Sequence, residues 1–162
     1  MHKQTAGLEY EVYESLSQLS PEDANLLVKA RAVTESAYAP YSTFYVGAAA
    51  LMENGAIITG TNQENASFPA GICAERVALA AVSSIHPDIP IKTMAISYNG
   101  NGIPSDHPIS PCGVCRQVLT EYEGRIGRPV RLILGGLKGV IYIIASASHL
   151  LPLAFTSDEL PR

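Results

Sequence analysis

The sequence predicts an α/β protein, a three-layer α/β/α sandwich whose mixed five-stranded sheet carries helices on both faces. Three observations lead there. Segments of helical period alternate with segments of strand period in the order α-β-β-α-β-α-β-β-α, the pattern of a sheet covered by helices. Residues 130–134 and 140–144 are rich in β-branched side chains throughout, as strands buried on both faces require. The 162-residue length fits a single domain over residues 1–162, which at this size buries roughly 70% of the surface its unfolded chain exposes.

Each element has a local cause. Leu8, Tyr10 and Val12 alternate briefly, enough for a short strand or arm that is not counted in the sheet. Ser20-Pro21-Glu22-Asp23 is a helix start, with Ser as N-cap, Pro in the first helical position and an acid in the third. The helix continues over residues 24–38 and must stop near Ala39, before Pro40. Residues 45–52 and 56–60 read as strands joined at Glu53-Asn54-Gly55, an Asn-Gly hairpin signal. Residues 72–84 are apolar and Ala-rich, hence helical, and residues 92–98 alternate Met94, Ile96 and Tyr98 as a strand. Residues 99–110 form a long Gly- and Pro-broken loop of the kind that carries function. A helix over residues 112–122 follows Pro111, and a short terminal helix covers residues 146–150.

Composition excludes several classes. With 47% apolar and 16% charged residues the chain is too apolar to be disordered. A net charge of −4 gives no cationic surface for a phosphate backbone, so no nucleic-acid partner is expected. The most apolar stretch, residues 140–155, is interrupted by Ser146, Ser148, His149 and Pro152, which rules out a membrane span. The first fourteen residues lack an apolar core and carry early acids, unlike a secretory signal, so a cytoplasmic location is expected.

The three cysteines carry the chemistry. An odd count makes a poor disulfide framework, and the thiols could serve only as small hydrophobes. Their placement argues otherwise. Cys112 and Cys115 form a Cys-x-x-Cys pair that puts two sulfurs on one helical turn, and Cys73 opens a separate helix. Three ligands with one open tetrahedral position are the mark of catalytic zinc, whereas structural sites usually take four. Three thiolates leave such a site at −1, and two helix N-termini with Arg76 offer compensating positive charge. Glu75 lies two residues beyond a ligand, where its carboxylate reaches an activated water without binding the metal. A ligand-x-Glu segment followed by Pro-Cys-x-x-Cys is the signature of zinc nucleobase deaminases. His86, His107 and His149 stand apart, and water is expected in the open position rather than any of them.

Five ordered motifs extend the match. Tyr41-Ser-Thr-Phe-Tyr-Val-Gly-Ala-Ala49, Gly60-Thr-Asn-Gln-Glu-Asn-Ala-Ser67, Cys73-Ala-Glu-Arg76, Pro111-Cys-Gly-Val-Cys-Arg-Gln117 and Leu150-Leu-Pro-Leu-Ala-Phe155 together resemble the small homotetrameric zinc-dependent cytidine deaminases. The resemblance spans residues 24–157 and implies the cytidine deaminase-like version of the sandwich. It implies Zn2+ on Cys73, Cys112 and Cys115, with Glu75 as proton shuttle and Arg76 hydrogen-bonded to the ligand sulfurs. It also implies that Asn62 and Glu64 hold the ribose 3′-hydroxyl and that Phe44 packs on the pyrimidine. Phe155 is expected to reach a neighbouring subunit's site. Residues 1–20 exceed the minimal domain as an N-terminal extension with no assigned role. Gln63 stands where the family usually has an aliphatic residue, and Phe68 stands where a Tyr is common.

The expected reaction is hydrolytic deamination of cytidine and 2′-deoxycytidine to the uridines, releasing ammonia. A small deaminase for another cytosine nucleoside, such as blasticidin S, shares the zinc motifs but not the Asn-x-Glu pair. A polynucleotide-editing deaminase is disfavoured by the acidic charge. A non-catalytic structural zinc module would need a fourth protein ligand and would leave Glu75 without a task.

Overall fold

The computed structural model describes residues 1–161. Strand β1 (Glu11–Tyr13) precedes helix α1 (Pro21–Val33), the hairpin β2 (Phe44–Met52) and β3 (Ile57–Thr61), and helix α2 (Ala74–Ile85). Strand β4 (Ile91–Gly100), helix α3 (Gly113–Ile126), β5 (Arg131–Gly135) and β6 (Ile141–Ile144) complete the sheet. The strand order is β1-β6-β5-β4-β2-β3. Only β4 and β5 run parallel, because α3 makes the long crossover between them; the other neighbours are antiparallel. Among the described residues no helix is long and apolar enough to cross a membrane.

Helix α1 starts as its cap sequence dictates. The Ser20 side chain accepts from the Asp23 N–H at 3.2 Å, Pro21 leads the first turn, and Glu22 and Asp23 face the positive end of the helix dipole. Leu26, Leu27 and Ala30 form its buried face and meet Ala49, Leu51, Ala95, Ile133 and Ile143 on one side of the sheet. The opposite side, from Ala48, Ala50 and Met52 to Leu132 and Leu134, packs against α2 and α3. A period of two thus sends neighbouring residues of β2 into two different cores. The helices sit close where the sheet carries glycine. A Cβ on Gly47 would lie 2.1 Å from the Ala30 carbonyl oxygen of α1, and one on Gly60 would lie 2.4 Å from the Ala78 nitrogen of α2.

The sheet has six strands, not the expected five. Val12 of β1 lies opposite Tyr142 of β6, and Tyr10 packs its ring 4.8 Å from that of Tyr142. This edge strand, where the alternation of Leu8, Tyr10 and Val12 suggests a short strand or arm, is three residues long and largely exposed, so nothing in the sequence marks it as part of the sheet. Helix α1 is also shorter than expected. It ends at Val33 and tightens into a 3₁₀ turn over Thr34–Ser36. Beyond that the backbone of Tyr38 pairs across the chain, its N–H with the Asn62 carbonyl and its carbonyl with the Glu64 N–H. That pairing competes with helical bonding and draws residues 38–43 toward the site. The expected terminal helix is a 3₁₀ turn, Ala147–Leu150. Buried Glu123 of α3 holds it, accepting from the Val130, Ala147 and Ser148 N–H groups and from the Ser146 hydroxyl.

Candidate metal centre and active site

Helices α2 and α3 aim their N-terminal ends at one point. Cys73 is the N-cap of α2 and Cys112 the N-cap of α3, each with extended backbone, and Cys115 lies one turn into α3. Neither capping side chain bonds the helix it precedes, so both sulfurs turn toward each other. The Sγ atoms of Cys73 and Cys112 are 3.8 Å apart, those of Cys112 and Cys115 are 3.5 Å apart, and all three lie within 4.8 Å of one another. Tetrahedral Zn–S bonds of about 2.3 Å place sulfurs about 3.8 Å apart, close to the two spacings that Cys112 makes with its neighbours. Among the described residues these three form the one such group of metal-binding side chains, and none of the histidines joins it.

The thiols share protons unequally. Cys73 is lowered to about 6, first by its hydrogen bond with Cys115, while burial and the Glu75 carboxylate raise it and Arg76 lowers it. Cys115, fully buried, is pushed upward first by the same contact with Cys73 and then by desolvation. Metal binding removes these protons and turns the set into thiolates, a step that the two helix N-termini favour.

Glu75 is the second residue of α2 and is 5% exposed. Burial raises its pKa, against a smaller lowering influence from the Cys115 thiol. Cys73, Glu75 and Cys112 line a cavity of about 590 Å³ that Phe44, Asn62 and Glu64 also line. That volume lies within the range of roughly 300–1,000 Å³ that small-molecule sites occupy.

Phe44 enters the cavity because it continues the Ala48–Ala50 side of β2 beyond the ends of the helices. The Asn62 amide replaces the ladder where β3 stops, its Oδ1 accepting from the Val46 N–H at 2.7 Å and its Nδ2 donating to the Phe44 carbonyl at 2.8 Å. Its second amide hydrogen remains for a ligand or solvent. Glu64 accepts from the Tyr41 and Ser42 N–H groups through Oε2. These bonds, the Ser42 side chain's foremost, hold its carboxyl below the usual range and keep it an acceptor. Gln63 turns its side-chain amide to the Thr61 hydroxyl, and Phe68 packs edge-on against Tyr41 at the cavity wall.

Arg76 lies along the neighbouring groove between α2 and α3, with its charge felt at Cys73. Phe155 is 59% exposed and does not line this chain's own cavity; Gln117 holds its carbonyl at 2.7 Å. Two residues escaped the sequence reading. Arg116 donates to the Pro111 carbonyl at 2.8 Å and to the Leu150 carbonyl at 3.2 Å, fixing the turn that presents Cys112. Tyr98 backs Phe44, and only its place in an alternating strand marked it as buried.

Comparison with known proteins agrees with this geometry. Residues 20–130 match the family described as "Cytidine and deoxycytidylate deaminase zinc-binding region". The cytidine deaminase of Halalkalibacterium halodurans is 41% identical over 140 residues, covering 85% of this chain and 98% of that one. The Mycobacterium tuberculosis cytidine deaminase is 40% identical over 130 residues, covering 78% and 84%. Among solved structures, the Burkholderia pseudomallei cytidine deaminase superposes with a TM-score of 0.70 at 36% identity, over 85% of this chain and all of that one. With its three thiols and buried Glu75 set as described, and with more than half its length matched, the chain belongs to the cytidine and deoxycytidylate deaminase zinc-binding family.

Proposed function

We propose that the protein is a zinc-dependent cytidine deaminase that hydrolyses cytidine and 2′-deoxycytidine to uridine and 2′-deoxyuridine with release of ammonia. The observation that carries this reading is one cavity lined both by Cys73, Glu75 and Cys112 and by Phe44, Asn62 and Glu64. Zinc on Cys73, Cys112 and Cys115 supplies the Lewis acidity that makes a water nucleophilic near neutral pH. Glu75 takes a proton from the attacking water and delivers it to N3 of the base as the oxygen bonds to C4. Glu75 then takes the remaining proton from the new C4 hydroxyl and passes it to the amine, and the C4–N4 bond breaks as the C4 carbonyl forms, so ammonia leaves and the ring becomes a uracil. Phe44 offers a flat apolar face to the pyrimidine. Asn62 can donate to a sugar hydroxyl and Glu64 accept from it, which suits the 3′-hydroxyl common to ribose and deoxyribose. Arg76 tempers the negative charge of three thiolates.

An ultraviolet assay on cytidine, 2′-deoxycytidine, CMP, cytosine and blasticidin S tests the reading. Both nucleosides are expected to react, the two within about tenfold of each other, with free cytosine far slower because it forfeits the sugar contacts. Turnover of blasticidin S alone would overturn the assignment.

The same reading includes a cytoplasmic homotetramer with shared sites. Three free thiols that must stay reduced suit a reducing compartment. Leu153 is 93% exposed and Phe155 lies outside its own chain's cavity lining, which suits a tail that completes a neighbour's site. Light scattering should give four times the 17.2 kDa chain mass, and deleting the tail from Leu153 should cost activity and assembly together. A fully active monomer would refute the shared site.

A further inference from the structure

We infer that Tyr98, which touches neither the cavity nor the thiols, is a positioning residue for the pyrimidine because it sets the plane of the Phe44 ring. The inference rests on the reading that Phe44 faces the base. Tyr98 lies opposite Val46 in the β2–β4 register, and Phe44 lies opposite Gly100, so the two rings are diagonal neighbours on one side of the sheet. They stack with centroids 5.2 Å apart and planes 21° apart. Phe44 therefore has Tyr98 against it on one side while it lines the cavity as well.

Tyr98 is itself held at every part. It is 1% exposed. Its hydroxyl donates to the Pro104 carbonyl at 2.9 Å and lies 3.2 and 3.3 Å from the two ring nitrogens of His107. The His107 ring packs edge-on against it at 5.7 Å, and Asp106 Oδ1 lies 3.2 Å from His107 Nδ1. The Tyr98 carbonyl accepts from the Ser105 hydroxyl, which in turn accepts from the Leu137 N–H at 2.8 Å. The loop over residues 101–110 thus holds the ring that supports Phe44, and the β5–β6 turn braces that loop through Ser105. A side chain locked this way narrows the orientations open to Phe44 before substrate arrives, which reduces the ordering that binding must impose.

The effect should appear in substrate binding and not in the chemical step, since Tyr98 touches no reacting atom. Four holoenzymes form the test: the parent, Tyr98→Leu, Phe44→Leu and the double variant, each checked for zinc content. Tyr98→Leu is expected to raise KM for cytidine about three- to tenfold, the scale of one lost aromatic pair, with kcat within about twofold and zinc unchanged. In the Phe44→Leu background the same change should add little, because the ring it orients is gone. Tyr98→Phe, which keeps the stack, should restore most of the affinity. Tyr98→Met carries the same test should the Leu variant fail to fold. An equal rise in KM from Tyr98→Leu with and without Phe44 would overturn the inference. So would a raised KM in Phe44→Leu beside an unchanged KM in a folded Tyr98→Leu, which leaves the pyrimidine contact standing. An unchanged KM in Phe44→Leu would overturn both.

Discussion

Glu75→Gln is expected to fold, to bind zinc and to lose at least 10²–10⁴-fold of kcat, the usual scale for one general acid–base group. The amide has almost the volume of the carboxyl, so the buried position at the start of α2 stays filled and no cavity opens. What it lacks is the capacity to take a proton and return it. The proposed reaction asks Glu75 for that exchange more than once, at the attacking water, at N3 and at the leaving amine, so the loss should reach or exceed the upper end of the range. Zinc content separates this effect from damage to the site, because Glu75 is not one of the three thiol ligands. Substrate affinity should change far less than turnover, since the missing interaction belongs to the transition state. A variant with kcat within about threefold of the parent would remove Glu75 from the mechanism.

The features legible in the sequence are those written in local or rare residues. The Ser20-Pro21 start of α1 and the Asn54-Gly55 turn are short-range chemistry, and both stand where the motif places them. The thiol cluster was legible because the chain spends all of its cysteines on two short motifs, each at a helix start. What stayed hidden depends on contacts between distant segments. Helix α1 yields to the pairing of Tyr38 with Asn62 and Glu64, more than twenty residues away. β1 is an exposed edge whose pairing with β6 no periodicity announces. Glu64 was expected to accept a sugar hydroxyl, yet the two backbone N–H groups of Tyr41 and Ser42 that aim it belong to another loop. Tyr98 reads from sequence as core and nothing more, because burial looks the same in a prop as in a packing residue.

Cys112→Ala carries the second large expectation: zinc falls from about one per chain to a small fraction of that, and turnover goes with it. Cys112 is the exposed member of the trio, so removing its sulfur empties no core space and leaves the fold largely intact. Cys73 and Cys115 would then remain as two ligands contributed by separate helices, with half of a tetrahedral shell left to water. Losing even an outer partner of a ligand typically costs about 10–100-fold in affinity or activity, so losing a ligand outright should exceed that. Cys115→Ala is a poorer test, because that thiol is fully buried and its loss mixes packing damage with metal loss. Metal analysis after dialysis against a weak chelator gives the stoichiometry, and thermal unfolding shows that the protein being measured is folded. Zinc also binds the native site and not the unfolded chain with comparable strength, so the parent's melting temperature should drop on metal removal while that of Cys112→Ala should hardly move. Full zinc occupancy in a folded Cys112→Ala variant would show that the three sulfurs are not the metal's ligands.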